Sequence, residues 1–136
     1  MTTNKSAAMA WLDALQAGDI DAFRDSMTED VVHELMGSCV ISGVRNRDEV
    51  CELLGQLLQG FTDGVRLEID AITAEEDRVA VMMHGFAELP SGASYNNVYH
   101  VLFRIRDGKV CQVHEFADTK LADEAIAAFA LASNRG

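Results

Sequence analysis

The spacing of apolar residues changes along the chain, from a helical period in the first half to strict alternation in the second. Apolar residues three or four positions apart predict one helix over residues 5–17 and another that begins after Asn46. Asn46 and Glu49 have the spacing of a capping box, and Gly18 can end the first helix. The stripe of the later helix consists of Val50, Leu53, Leu54, Leu57, Leu58 and Phe61.

The segment between these helices has weaker patterns. Asp19 is predicted to cap a short helix over residues 20–27, followed by a turn at residues 28–30 and a strand over residues 31–36. Residues 37–43 fit either a short strand or a loop.

The second half alternates with a period of two, which predicts strands over residues 65–73 and 78–88 and a long hairpin over residues 94–118. Asp107-Gly108 is the expected hairpin turn, and Asp118 is predicted to cap a short final helix. In the strand over residues 65–73, one face is expected to carry Val65, Leu67, Ile69 and Ala71.

Helices followed by long antiparallel strands predict an α+β fold in which the helices cover one face of a strongly curved sheet. Such a cone leaves an apolar outer face, and we expect a homodimer to cover it. His100 and His114 have the parity of that outer face. On the opposite face, the strand pair of the hairpin is largely apolar but carries polar residues at its outer end. These are Tyr95, Asn97, Tyr99 and Glu115, and the pattern predicts a lined cavity.

Length and charge exclude several classes of protein. A chain of 136 residues is expected to form one domain over residues 1–136, and its net charge of −11 disfavours nucleic acid and anionic membranes as partners. Three widely spaced cysteines and the lack of a leader pattern predict a cytoplasmic protein with reduced thiols. No spacing of cysteine and histidine suggests a metal site, and no apolar run is long enough to span a membrane.

Two stretches, one near each end, resemble the SnoaL-like, ketosteroid-isomerase-related branch of the NTF2-like superfamily. They are WLDALQAGDIDAFRDSMTEDVVHEL and YNNVYHVLFRIRDGKVCQVHEFADT. The resemblance implies a cone built from a curved, mixed or antiparallel sheet, with N-terminal helices and one further helix on the concave face. It does not imply one activity, because this fold hosts isomerases, dehydratases, cyclases, epoxide hydrolases and non-catalytic modules.

The stretch LPSGASYNNVYHVLFRIRDGKVCQVHEFAD also resembles, without gaps, the corresponding part of limonene-epoxide hydrolases, whose catalytic set is Asp–Arg–Asp. By that alignment, Met82 and His84 on the preceding strand stand at the positions of the Arg and the first Asp, and Glu115 stands at the other Asp. The supporting Tyr and Asn are replaced by His33 and Leu35. The resemblance therefore implies that this hydrolase activity is lost, while the same positions face the cavity.

His84 and Glu115 are the candidate catalytic residues. A carboxylate beside an imidazole orients the ring, and such a pair can act as general base and acid. The alternative is a structural Glu115 that is hydrogen-bonded to His84 or Tyr99, since buried charges are normally paired. The candidate substrate-binding residues are His33, Leu35, Leu54, Leu57, Leu58, Phe61, Met82, Asn97 and Tyr99.

Three functions fit these residues. The first is a lyase, isomerase or cyclase without cofactor or metal, acting on a small hydrophobic cyclic substrate. The second is a non-catalytic protein that holds a hydrophobic ligand. The third is a dimerisation module, which predicts a small or collapsed cavity; a lined cavity of roughly 300 Å³ or more would argue against it.

Overall fold

The structure is a computed structural model that describes the backbone of residues 3–134 and the side chains of residues 3–128. Four helices run over α1 (Asn4–Ala17), α2 (Ile20–Asp25), α3 (Arg47–Gly60) and α4 (Thr119–Asn134). Six strands run over β1 (Met27–Leu35), β2 (Gly43–Arg45), β3 (Val65–Glu75), β4 (Arg78–Glu88), β5 (Ser94–Arg106) and β6 (Lys109–Ala117).

The predicted helix boundaries are set by local chemistry. Gly18 ends α1 in the left-handed conformation, with φ of 67°, which costs glycine little. The Asn46 side chain accepts from the Glu49 N–H while the Glu49 carboxylate accepts from the Asn46 N–H, so the predicted capping box is confirmed. Asp118 accepts from the backbone N–H groups of Lys120 and Leu121, although the helix that it starts has 16 residues and is not short.

The six strands form one curved, open sheet in the order β2-β1-β6-β5-β4-β3. The pair β1 and β6 is parallel, and the other pairs are antiparallel. Helix α1 packs against β3 to β6, α3 against β1, and α4 against β5. The predicted α+β fold is confirmed. Within residues 3–134, no helix combines the length and the apolar character that crossing a bilayer requires.

The core lies between the helices and the sheet, around Trp11. The indole ring contacts Phe23 of α2 at 4.9 Å and Phe103 of β5 at 5.2 Å between ring centroids. Other side chains with less than 2% exposure are Leu12, Met27, Val31, Val79, Val81, Val101, Val110 and Val113. The core therefore joins α1 and α2 to the centre of the sheet.

The segment after α2 differs from the prediction. Residues 28–30 belong to β1 and not to a turn, because Met27 already pairs with Val110 of β6 and Asp30 forms an ion pair with Arg106. This also ends α2 at Asp25, before the predicted position. The ambiguous residues 37–42 form a loop, and the strand comes after it, as β2.

A bulge in β3 reverses the predicted faces of its second half. Ile69 pairs with Met83 and Ala71 with Met82, so Asp70 is an additional residue without its own partner. Ala71 therefore lies on the outer face, contrary to the prediction. Ile72, which pairs with Val81, takes the inner position.

Candidate functional site

A cavity of about 120 Å³ lies between the concave face of the sheet and the helices α1, α3 and α4. Its wall is mostly apolar, and its polar side chains come from three strands and from Thr119 of α4. The wall includes Trp11, Leu53, Leu54, Leu57, Leu58, Phe61, Ala122, Ala125 and Ile126 from the helices, with His33, Tyr95, Tyr99 and Glu115 from the strands.

His33 and Glu115 form a pair at this cavity. The strands β1 and β6 lie side by side, with His33 opposite Val113 and Leu35 opposite Glu115, so both polar side chains point to the concave face. The Nε2 atom of His33 lies 3.2 Å from Oε1 of Glu115. The His33 side chain is 3% exposed and the Glu115 side chain 17% exposed, so the carboxylate is the more accessible of the two.

The rest of the His33 ring is enclosed. Its ring lies nearly parallel to the Trp11 indole, at 6.2 Å between centroids and 15° between planes. Among the described side chains, neither Nδ1 of His33 nor Nε1 of Trp11 has a hydrogen-bond partner, and both atoms are buried. With an ionised Glu115, Nε2–H donates to the carboxylate and Nδ1 keeps an unshared electron pair.

Two tyrosine hydroxyls extend the polar part of the wall. The hydroxyls of Tyr95 and Tyr99 lie 3.4 Å apart, and the Asn97 side-chain amide donates to the Tyr95 oxygen at 2.8 Å. Burial raises the pKa of the Tyr99 phenol above its usual range, and the neighbouring Tyr95 and the charge of Glu115 raise it further. Tyr99 therefore stays protonated and can donate a hydrogen bond.

Gly85 makes room for the Tyr99 ring. Both residues line the cavity, on the neighbouring strands β4 and β5. A Cβ atom at Gly85 would lie 2.7 Å from Cε2 of Tyr99, closer than side chains tolerate. The missing side chain at Gly85 thus fixes how near the Tyr99 ring can lie to β4.

The predicted pairing of His84 with Glu115 is wrong. His84 pairs with Val98 on the outer face of the sheet, and its side chain is 48% exposed. Its Nδ1 atom lies 2.6 Å from Oδ2 of Asp70, the bulged residue of β3. His84 therefore cannot contact Glu115, which points to the opposite face.

Met82 is also misplaced by the prediction, for the same reason. Side chains two positions apart in a strand share a face, so Met82 points outward together with His84. Met82 is 55% exposed on the outer face. The inward residues of β4 are Val79, Val81, Met83, Gly85 and Ala87, none of which is ionisable.

Asn97 is buried, but it does not line the cavity. Its Oδ1 atom accepts from the backbone N–H groups of Val98 and Asp118, and its Nδ2 atom donates to the Asp118 carbonyl as well as to Tyr95. These bonds tie the start of β5 to the end of β6. The structure therefore does not place Asn97 among the residues of the cavity wall, as the predicted substrate-binding set did, and both ends of its amide already have protein partners.

The other predicted residues do line the cavity, and their role in binding stays a prediction. They are His33, Leu35, Leu54, Leu57, Leu58, Phe61, Tyr99 and Glu115. Tyr95 was missing from the predicted substrate-binding set, although its parity with Tyr99 indicates the same face. Within residues 3–134, no three His, Cys, Asp or Glu side chains are grouped closely enough to hold a metal ion.

The family model described as a SnoaL-like domain matches residues 8–113. Among curated proteins, none matches this chain in sequence.

Several solved structures share the fold. PrhC from Penicillium brasilianum has a TM-score of 0.82 at 17% identity, over 96% of this chain and 93% of that chain. IdmH, a putative polyketide cyclase from Streptomyces antibioticus, has a TM-score of 0.76 at 19% identity, over 90% of this chain and 98% of that chain. An epoxide hydrolase of Mycobacterium tuberculosis that is similar to limonene-epoxide hydrolase has a TM-score of 0.71 at 20% identity, over 96% of this chain and 95% of that chain. At these identities the likeness shows the fold alone.

Proposed function

This chain belongs to the family of SnoaL-like domains, and on that premise we propose that it is a cofactor-independent lyase, isomerase or cyclase. It uses general acid–base chemistry on a small hydrophobic cyclic substrate. The observation that carries the proposal is the His33–Glu115 pair in a mostly apolar cavity. A polar pair converging on an apolar pocket is typical of a site that positions and reacts with a ligand. IdmH, a putative polyketide cyclase with the same fold, supports the choice of reaction class.

Glu115 is the group that meets the substrate. Its carboxylate is the more exposed member of the pair, while His33 lies behind it with 3% exposure. In an isomerisation, Glu115 accepts the proton of an acidic C–H bond, the electron pair moves onto an oxygen of the substrate, and Glu115 returns the proton to another carbon. His33 is a positioning residue that holds the carboxylate through Nε2.

The test is Glu115→Gln, with turnover measured on a substrate found by screening cyclic compounds. Removing a general base is expected to lower kcat by roughly 10²- to 10⁴-fold. The matched control is Glu34→Gln, since Glu34 lies 3.6 Å from His114 on the same two strands but on the outer face. Equal turnover in the wild type and Glu115→Gln would refute the acid–base role.

A second candidate is a non-catalytic ligand-binding or dimerisation module, favoured by the size of the cavity. At about 120 Å³ it is smaller than the roughly 300 Å³ typical of sites for larger ligands. Native mass spectrometry of freshly purified protein distinguishes the two roles of the module, because only a binding protein retains a small molecule.

We also propose a homodimer that forms through the outer face of the sheet, in a cytoplasmic protein related to ketosteroid isomerases. Five large apolar side chains on this face support the dimer, because each is at least 44% exposed: Val32, Val44, Met82, Val98 and Phe116. Three free thiols, at Cys39, Cys51 and Cys111, support a reducing compartment. The net charge of −11 disfavours nucleic acid as a partner.

A further inference from the structure

We infer that the cavity takes a single-ring compound that has no anionic group and carries one hydrogen-bond-accepting oxygen, such as a cyclic ketone. The inference rests on the proposed function only in placing the ligand in this cavity. Three independent features of the wall define the ligand: its charges, its hydroxyl protons and the volume that it encloses.

The charges of the wall exclude an anionic ligand. Among the described residues that line the cavity there is no lysine or arginine, and Glu115 is a carboxylate. Arg45 lies opposite His33 in the β1–β2 register, but its guanidinium donates to the Ile41 carbonyl at 2.7 Å and is not part of the wall. A carboxylate or phosphate bound here would be desolvated without a counter-charge, beside a group of like charge.

The tyrosine pair defines where an oxygen of the ligand binds. Two hydroxyls hold two protons, and one of these protons is used in the bond between Tyr95 and Tyr99. The other contact of the pair, from Asn97, is a donation to the Tyr95 oxygen and uses no hydroxyl proton. Whichever tyrosine donates to the other, one O–H group has no acceptor among the described residues. A carbonyl oxygen in the cavity supplies that acceptor.

The volume limits the hydrocarbon part of the ligand. An apolar cavity of about 150 Å³ holds a benzene ring, and the cavity here has about 120 Å³. Leucines of α3 and alanines of α4 form the opposite wall, so the ring is enclosed by apolar side chains. The volume is below that of the cavity that holds benzene, so it limits the ligand to at most one ring, and two fused rings exceed it.

Trp11 provides the measurement, because it is the single tryptophan of the chain and lines the cavity. The full chain is titrated with cyclohexanone, cyclohexanecarboxylate and decalone, and Trp11 fluorescence and the shift in Tm are recorded. Cyclohexanone is expected to bind about tenfold or more tightly than cyclohexanecarboxylate, because the carboxylate is buried unpaired. Decalone is expected to bind more weakly than cyclohexanone. Equal or tighter binding of either the carboxylate or decalone overturns the inference.

Two variants connect the preference to the named groups. Glu115→Gln removes the like charge, so it should bind cyclohexanecarboxylate more tightly than the wild type does. The double variant Tyr95→Phe, Tyr99→Phe should lose affinity for cyclohexanone, with folding checked by circular dichroism. If the double variant does not fold, the Glu115→Gln result decides the charge argument by itself: unchanged carboxylate affinity refutes it.

These outcomes are separate from those of the proposed function. Loss of turnover in Glu115→Gln without binding of cyclohexanone would support catalysis and refute this ligand class. Binding of cyclohexanone with unchanged turnover in Glu115→Gln would support this ligand class and refute the acid–base role of Glu115.

Discussion

His33 Nε2 lies 3.2 Å from Glu115 Oε1, and this contact joins two parallel neighbouring strands across the concave face of the sheet. The two residues are 82 positions apart in sequence. On the outer face of the same strands, Glu34 and His114 form a second pair, at 3.6 Å. The chain thus offers an inner and an outer histidine–glutamate pair that differ in their access to the cavity.

Replacing His33 by Gln is expected to lower kcat by roughly 10²-fold, because the Glu115 carboxylate loses the partner that orients it. His84→Gln is the matched control and should leave kcat unchanged, since His84 lies on the outer face and contacts Asp70. Steady-state kinetics with the screened substrate check both variants. A positioning role also predicts a changed pH profile of kcat in His33→Gln, which a loss of stability alone would not produce. If kcat falls in His84→Gln and not in His33→Gln, the assignment of the pair is wrong.

The turn of the β5–β6 hairpin and the faces of β5 could be predicted because they are local. Asp107 and Gly108 both have positive φ, 53° and 77°, as the predicted tight turn requires. Alternation from that turn places the side chains of β5, including the inward Tyr99. In β6, however, Cys111 is an additional residue without its own partner, so Glu115 points inward because of a bulge that alternation from the turn does not predict.

The partner of Glu115 could not be predicted in the same way. In β4 both faces are apolar, with Val79, Val81 and Met83 on one and Ala80, Met82 and Phe86 on the other. Hydrophobic alternation therefore does not decide which face is buried, and the comparison with epoxide hydrolases selected His84, which lies on the outer face. His33 reaches Glu115 because β1 adds to the sheet beside β6 in parallel. No local pattern in the sequence encodes that long-range pairing.

Tyr99 is expected to make the protein less stable at alkaline pH. Burial raises the pKa of its phenol in the folded protein, whereas in the unfolded chain the phenol ionises at about pH 10. The contribution of Tyr99 to stability is therefore complete below about pH 10 and declines above it, by up to about 1.4 kcal/mol per pH unit.

Chemical denaturation of the wild type and Tyr99→Phe across this range provides the check. The free energy of unfolding should fall less steeply with pH in the variant. Equal slopes for the two proteins above pH 10 would mean that Tyr99 ionises while the protein is folded.

A charged substitution on the outer face of the sheet is expected to dissociate the proposed dimer. Val98 is 51% exposed near the centre of this face, and an aspartate there would place two charges in the interface of a symmetric dimer. Val98→Asp is therefore expected to be a monomer in size-exclusion chromatography with light scattering. Val40→Asp is the control, because Val40 is 70% exposed in the loop before β2. A monomeric wild type, or a Val98→Asp variant with the mass of the wild-type dimer, would contradict the proposed interface.

The last prediction concerns Gly85→Ala, which adds one methyl group to the cavity wall. In Gly85→Ala the new Cβ would lie 2.7 Å from Cε2 of Tyr99, so the tyrosine ring must move away from β4. Overpacking of this kind costs about 1–3 kcal/mol of stability. Because the Tyr99 hydroxyl moves with its ring, the affinity for cyclohexanone should fall as well.

Gly55 offers a matched control for this substitution. It lies within α3, and a Cβ atom there has no neighbour within 4 Å. Gly55→Ala is therefore expected to stabilise the protein by about 0.5–1 kcal/mol, because alanine favours the helix. Urea denaturation compares the free energies of unfolding, and the Trp11 titration compares the affinities for cyclohexanone. If both substitutions shift stability in the same direction and leave the affinity unchanged, Gly85 does not position Tyr99.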